Sequence, residues 1–466
     1  MKPLDLNTLA MWAGGRLIQG SGDRCALSVE TDSRALRPGS LFVALKGERH
    51  DGHGFVEDAQ KRGAIAAIVE RMPDAPLDPS FGVILAPNTL QALHKLAFAY
   101  RQTLSTKILA ITGSCGKSST KEMAAAALGM CGKTQKNKES YNNHIGVPLT
   151  LLSIDPEHDF AVVEMGTNHP GEIEPLARLT LSQFGLITNI GWAHVEAFGD
   201  RDAIAHEKGA LLRSLPKTGT AILFVDDERI SSMQSAIQAR KVLVGQSAQA
   251  SYRLGHIRIE GSSVLFDFKT PQGSATMQLN LPAPHLVNNA ALAAAASMEM
   301  GASLDQVRAG LDRFQLPKQR CAIYPYASGW LVDDSYNANP DSMIAAFDML
   351  DALQGDGRKV ALLGMMGELG ARSQELHRMV GRTLAEKGVG LLFAMGADAR
   401  WMVEEAKKCG LKTEVCQEFS GHAKLTQAYQ EAARETDKIL VKGSRSQTME
   451  LVVQALLKGG APCSTT

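Results

Sequence analysis

The chain has 466 residues, 44% of them hydrophobic; at roughly 150 residues per domain that is room for about three domains with real cores. Lys+Arg and Asp+Glu both number 49, which argues against the basic surface that a nucleic-acid backbone or an anionic membrane requires. Seven cysteines without a CxxC pair suit a reducing compartment, no apolar run is long enough to span a bilayer, and Met1 to Thr8 lacks a signal peptide's apolar core, so a cytoplasmic protein without membrane insertion is expected.

Residues 1–87 read as a small mixed α/β unit. Leu41-Phe-Val-Ala-Leu45 and Ile65-Ala-Ala-Ile-Val69 are short apolar strands, with a helix predicted from Gly54 to Lys61 between them. Two polar clusters punctuate this unit, Thr31-Asp-Ser-Arg-Ala-Leu-Arg-Pro-Gly39 and Lys46-Gly-Glu-Arg-His-Asp-Gly-His53. Each is either a solvated turn or a set of donors for a diphosphate or sugar, for which Thr31, Ser33, Arg34 and Lys46 are suited. A helix over Thr89 to Gln102 leads into the next unit.

From Lys107 to about Gln315 the pattern is of βα repeats, as a largely parallel sheet requires. Strands are predicted at Lys107 to Thr112, Phe160 to Glu164, Gly185 to Asn189 and Thr220 to Val225. The first runs into Gly113-Ser-Cys-Gly-Lys-Ser-Ser119 and an alanine-rich helix, Lys121 to Leu128. A strand, a glycine turn and a helix start make a phosphate cradle: backbone N–H groups face the anion, Lys117 reaches the terminal phosphates, and the Ser118 hydroxyl can take Mg²⁺. Only two residues separate Gly113 from Gly116, fewer than in the common phosphate-loop pattern. Cys115 inside the turn reads as a small filler and not a nucleophile. Ligands in open α/β sheets sit beyond the carboxyl ends of strands, so Gly113, Glu164 and Asn189 are expected to face one crevice. Glu164, the Ser118 hydroxyl and His194 can ligate divalent cations bridging ATP phosphates, although His194 alone would as readily be structural. Lys208, in Ala205-His-Glu-Lys-Gly209, reads by itself as a surface helix lysine.

After Lys241 the texture changes to alternating strands at Tyr252 to Glu260, Ser263 to Phe268 and Ser274 to Leu279, with a turn at Thr270-Pro-Gln-Gly273. Helices over Val287 to Met300 and Leu304 to Phe314 close the unit, and Gln315-Leu-Pro-Lys-Gln319 reads as a linker. The last third is another βα unit, with strands expected at Trp330 to Asp333, Lys359 to Leu363, Val389 to Ala394 and Lys438 to Val441. It lacks GxGxxG, which argues against a nicotinamide or flavin role.

These motifs together resemble the Mur ligases, the ATP-dependent amide-forming enzymes of peptidoglycan synthesis. The similarity covers essentially the full length. It is carried in order by Thr31-Asp-Ser-Arg34, Lys46-Gly-Glu-Arg49, the phosphate turn, Tyr141-Asn-Asn-His-Ile-Gly-Val-Pro-Leu149, Glu164-Met-Gly-Thr-Asn-His-Pro-Gly-Glu172, Ile187-Thr-Asn-Ile-Gly-Trp-Ala-His194 and His285 to Ala290. Asp333-Asp-Ser-Tyr-Asn-Ala-Asn-Pro-Asp-Ser-Met343 and Lys442-Gly-Ser-Arg-Ser-Gln-Thr-Met-Glu450 point to the branch that adds D-alanyl-D-alanine to a UDP-N-acetylmuramoyl-tripeptide.

The resemblance implies an α/β protein of three domains: a mixed α/β N-terminal domain for the UDP-muramoyl peptide (1–87), a central P-loop-type, mostly parallel ATPase domain (88–315) and a C-terminal Rossmann-like domain (316–466). It implies a monomer acting through an acyl phosphate with ATP and two Mg²⁺. Gly113, Ser114, Cys115, Gly116, Lys117, Ser118 and Ser119 would hold the phosphates, Asn289 the adenine, and Arg320 and Asp334 phosphate and ribose. Metal would be held by Ser118, Glu164, His194 and Lys208, the last as a carbamate formed with CO₂; Lys117, Lys208, His194 and Glu164 form the catalytic set. Thr31, Asp32, Ser33, Arg34, Lys46, Asn142 and Asn143 would bind the muramoyl peptide, and Tyr336, Asn337, Asn339, Lys442, Ser444 and Arg445 lie near dipeptide or nucleotide. Three positions depart from the family pattern: Ser118 for threonine, Leu286 for asparagine and Met365 for aspartate. The alternatives are a lysine- or diaminopimelate-adding relative, or a P-loop kinase or regulatory NTPase.

Overall fold

The computed structural model describes residues 1–47, 50–73, 76–412 and 415–459. Three large sheets, each covered by helices, follow one another along the chain, and a two-stranded antiparallel ladder pairs Leu4–Asp5 with Cys25–Ala26. Among the described residues no helix is long and apolar enough to cross a membrane.

The first sheet has five strands in the order Arg16–Gln19, Gly82–Leu85, Ala66–Val69, Ser40–Val43 and Ser28–Glu30; all pair in parallel except the first. Thr31 to Arg34 follow the edge strand Ser28–Glu30, and Lys46 follows Ser40–Val43, so both polar clusters sit at one end of this sheet. Glu48 and Arg49 of the second cluster lie outside the described residues.

The second sheet has nine strands: Gly273–Leu279, Ser263–Thr270, Tyr252–Glu260, Arg240–Gly245, Thr220–Phe224, Phe184–Ile187, Lys107–Thr112, Phe160–Glu164 and Thr134–Lys136. From Arg240–Gly245 through to Thr134–Lys136 every pairing is parallel. The central strands are buried along almost their whole length, which is why they read as continuous apolar runs without alternation. Arg240–Gly245 and Thr134–Lys136 were not evident in the sequence. Their apolar cores are too short, and Arg240–Gly245 carries the hairpin strands on the same sheet, where the sequence suggested a break. The phosphate-turn helix also begins earlier than its alanine run suggests, spanning Lys117–Leu128. It packs against Val287–Met300, whose buried alanines from Ala290 to Ala296 allow close approach.

The third sheet orders Ala322–Tyr326, Gly329–Asp334, Lys438–Lys442, Lys359–Gly364, Leu391–Met395 and Cys416–Phe419, parallel except for the first pair. Ala322–Tyr326 escaped the sequence reading because Pro325 demotes it to an edge strand, and an edge is where it lies. Helix Pro340–Ala352 starts as its sequence dictates, with proline in its first turn and a capping box between Asn339 and Ser342.

Strands Lys107–Thr112 and Phe184–Ile187 are neighbours whose following connections leave toward opposite edges of the sheet. That switch point opens a crevice at their carboxyl ends, as expected.

Candidate active site

The crevice is a cleft of about 760 Å³. It is lined from the central domain by Ser114, Cys115, Gly116, Lys117, Ser118, Ser119, Asn142, Asn143, Glu164, His194 and Asn289, and from the C-terminal domain by Arg320, Asp334, Tyr336, Asn337, Asn339 and Lys442. Strands that end at one level deliver residues from widely separated parts of the chain to one wall.

The phosphate turn is built by two glycines. Gly113 has φ +151° and Gly116 φ +78°. A Cβ on Gly113 would lie 1.8 Å from Thr188 Oγ1, and one on Gly116 would lie 2.6 Å from Asn289 Nδ2. No side chain caps the helix that follows, so its first N–H groups are left for an anion. The stretch after Phe184–Ile187 braces the turn: Asn189 accepts from Ser114 N (3.1 Å) and, through Oδ1, from Cys115 N (3.0 Å). Cys115 Sγ accepts a hydrogen bond from Asn189 Nδ2 at 2.8 Å, and burial pushes its thiol up, consistent with a filler. Lys117 Nζ donates to Gly113 O at 2.8 Å, folded over the place where phosphate oxygens would compete for it. Glycine cradle, uncapped helix and folded-back lysine fit a nucleotide triphosphate.

Glu164 ends its strand 1% exposed. Its Oε2 accepts from Ser118 Oγ at 2.8 Å and its Oε1 from Asn142 Nδ2 at 2.8 Å. His194 stands at φ +60° before the short helix Val195–Phe198, with Nδ1 2.6 Å from Glu368 Oε2 of the C-terminal domain but off hydrogen-bond geometry. The neighbouring imidazole holds the Glu368 carboxyl below the usual range. Among the described residues no three His, Cys, Asp or Glu gather into a protein-only metal site. The donors present, a hydroxyl and a carboxylate beside a phosphate cradle, suit a hard cation that completes its shell on phosphate oxygens.

Lys208 does not sit on the surface as its sequence suggests. It is 1% exposed in helix Arg201–Arg213 and has no hydrogen-bond partner among the described residues. Burial, helped by the Lys117 ammonium, pushes it down to about 7. A buried amine without an acceptor is poised to be neutral and nucleophilic.

The C-terminal domain closes the cleft. Lys442 Nζ pairs with Asp334 and donates to Asn337 O at 2.9 Å. The Arg320 guanidinium lies 4.1 Å above the Tyr336 ring. Asp341 Oδ2 accepts from Trp192 N of the central domain at 2.7 Å, and Glu196 N donates to Glu368 O at 3.0 Å. Asn339 is committed to capping its helix. Leu286 lines the cleft beside Asn289, and Met365 packs against Gly396.

Not every candidate reaches the cleft. Thr31, Asp32, Ser33, Arg34 and Lys46 stay on the first sheet, where Asp32 receives Arg34 through Nε at 2.9 Å and NH2 at 2.8 Å. Ser444 Oγ donates to Met365 O, and Arg445 pairs with Glu450; neither lines the cleft. Asn143 lines it, but its Oδ1 is occupied by Ile145 N and Gly146 N. Sequence reasoning missed Asp341 and Glu368, which bind the two domains to each other. The only hint was acidic residues just past expected strand ends, and nothing in one sequence says which opposing loop they meet.

Three family models match the chain: "Mur ligase family, catalytic domain" over residues 28–101, "Mur ligase middle domain" over 111–297 and "Mur ligase, glutamate ligase domain" over 319–445. The UDP-N-acetylmuramoyl-tripeptide–D-alanyl-D-alanine ligase of Escherichia coli (strain K12) is 39% identical over 436 residues, covering 93% of this chain and 94% of that one. The ligase of the same name from Bacillus subtilis (strain 168) is 34% identical, covering 92% and 93%. Among solved structures, MurF from Acinetobacter baumannii superposes with a TM-score of 0.87 at 33% identity, covering 98% of this chain and 99% of that one.

Proposed function

The chain belongs to the Mur ligase family, and from that premise we propose that it joins D-alanyl-D-alanine to UDP-N-acetylmuramoyl-tripeptide at the expense of ATP. The products are the UDP-muramoyl-pentapeptide, ADP and phosphate, a step of peptidoglycan precursor synthesis. The observation that carries the reading is one cleft holding a phosphate cradle, an adjacent Glu164–Ser118 pair and Arg320, stacked on Tyr336 and delivered by a separate domain.

The tripeptide's terminal carboxylate attacks the γ-phosphorus in line, displacing ADP and leaving an acyl phosphate. The free amine of D-alanyl-D-alanine then attacks the acyl carbon, loses a proton and expels phosphate as the amide forms. Both steps need charge neutralisation and alignment more than covalent help from the protein. Gly113 to Ser119 hold the phosphates, Lys117 swings from Gly113 O to the β- and γ-oxygens, and Arg320 meets them from the other side. Asn289 contacts adenine, and Asp334, with Lys442 beside it, the ribose. Tyr336, Asn337 and Asn339 face the incoming dipeptide, with Ser444 and Arg445 behind them.

Ser118, Glu164 and His194 would hold Mg²⁺, which would neutralise charge building on the transferred phosphoryl group. Lys208, as a neutral amine, would add to CO₂ and lose a proton to become a carbamate, an anion suited to a second Mg²⁺. Residues 1–87 bind the UDP-muramoyl peptide through Thr31 to Arg34 and Lys46, with Asn142 and Asn143 directing its peptide end toward the cleft. Residues 88–315 carry the nucleotide, and 316–466 complete its site. The protein acts as a monomer in the cytoplasm.

An ADP-release assay tests this. Release should require both UDP-N-acetylmuramoyl-tripeptide and D-alanyl-D-alanine, and release indifferent to the two would overturn the reading.

A further inference from the structure

Lys121 takes no part in the proposed chemistry, yet its ammonium is buried, 1% exposed, in the helix Lys117–Leu128. A buried ammonium has three protons to satisfy and must find acceptors for them. Two are backbone carbonyls of one short loop, Asn137 O at 3.2 Å and Glu139 O at 3.1 Å. Around the rest of the nitrogen stand two carboxylates, Glu122 Oε1 at 3.3 Å and Glu164 Oε2 at 3.9 Å. For its carbonyl to point inward, Glu139 adopts φ +42°, a left-handed conformation that a residue with a Cβ disfavours. The ammonium therefore holds the loop in a shape it would otherwise leave.

That loop reaches both substrate sites. On its inner side Asn137 clasps the backbone of Glu164, accepting from its N–H at 2.6 Å and donating to its carbonyl at 3.2 Å. Asn142 holds Glu164 Oε1, and the opposite oxygen carries Ser118. At its far end the loop carries Asn142, which lines the cleft and is assigned above to the peptide end of the muramoyl substrate.

We infer that Lys121 is a positioning residue that couples occupancy of the muramoyl-peptide site to the orientation of Glu164 and Ser118 in the phosphate site, by pinning the 137–142 loop to the phosphate-turn helix. The inference rests on the substrate assignment proposed above. Movement of the loop on one face must then move the carboxylate whose Oε1 and backbone it holds.

The test uses the full chain without ATP. Calorimetric titration of the Lys121→Met variant with UDP-N-acetylmuramoyl-tripeptide should show a dissociation constant about tenfold or more weaker than wild type, the cost of losing charge-assisted hydrogen bonds. In wild type, bound UDP-N-acetylmuramoyl-tripeptide should shift the affinity for a non-hydrolysable ATP analogue, and in the variant that shift should fall below about threefold. Glu139→Gly in the Lys121→Met background should recover part of the loss, because glycine accepts the left-handed turn without help. The same shift in variant and wild type, or no rescue, would make Lys121 a structural lysine only and overturn the inference. If the variant does not fold, hydrogen exchange on wild type decides. UDP-N-acetylmuramoyl-tripeptide alone should slow exchange in residues 117–122 as well as in 137–143, and protection confined to the loop would refute the coupling. A wild-type protein that does not bind the tripeptide would instead refute the substrate assignment.

Discussion

Replacing Lys208 by methionine is expected to abolish ligation while making the folded protein more stable. The amine is buried and has no hydrogen-bond partner among the described residues, and its fall from 10.5 to about 7 follows from how poorly the fold tolerates its charge. At about 1.4 kcal/mol per pH unit, that fall sets a ceiling of about 5 kcal/mol on the destabilisation by the ammonium. Relaxation around the nitrogen lowers this, and about 1–4 kcal/mol is the range for exchanging buried charge for a packed apolar side chain. The pH dependence has a definite sign. Below about 7 the lysine is protonated in both folded and unfolded chains and the penalty is full. Between there and 10.5 the unfolded chain binds the extra proton, so wild-type stability rises with pH and the variant's advantage shrinks. Thermal unfolding in carbonate-free buffer at pH 6.5 and pH 9 checks this, with about 2–4 °C expected per kcal/mol for a domain of this size. A Lys208→Met protein less stable than wild type at the lower pH would show that the amine is held by interactions and not merely tolerated. ADP release by the Lys208→Ala variant, partly restored by small carboxylates, supplies the functional half, and full activity in that variant would remove the carbamate.

Gly116→Ala places a Cβ at φ +78° against Asn289, so the kcat/KM for ATP should fall at least ~100-fold and Tm should drop with the added strain; an unchanged KM for ATP would contradict the cradle. Gly191→Ala drives a methyl to 2.2 Å from Asp341 Oδ2 and should wedge the central and C-terminal domains apart. With an ATP analogue and UDP-tripeptide bound, scattering should then report a larger radius of gyration than wild type and kcat should drop about tenfold or more; a compact, fully active variant would refute the role of that contact. Chelation with EDTA should reduce ADP release to background, with recovery on adding Mg²⁺, and a chelated enzyme at full rate would exclude the cation assigned to Ser118 and Glu164.

The parallel sheets, the phosphate turn and the helix after it were legible in the chain because each is a local pattern. Lys107–Thr112 is apolar because both its faces are covered, and Gly113 and Gly116 mark places where the backbone turns through left-handed space before a helix. Arg240–Gly245 and Ala322–Tyr326 were not legible, one for its short apolar core and the other for its proline, since strands of that kind are stabilised by neighbours that the local sequence does not name. The family motifs likewise brought Glu164, His194, Asn289, Arg320 and Asp334 to notice one at a time.

What the sequence determined by itself was chemistry: which side chains can cradle phosphate, ligate a hard cation or donate to a sugar. What only the tertiary structure decided was company. Lys208 reads as a surface lysine until the fold encloses it against Lys117, Lys121 as a helix lysine until a loop folds its carbonyls onto it, and Glu368 as a loop acid until it meets His194 across two domains. Burial and charge pairing depend on residues far apart along the chain, and those contacts exist only when the sheets have formed and packed.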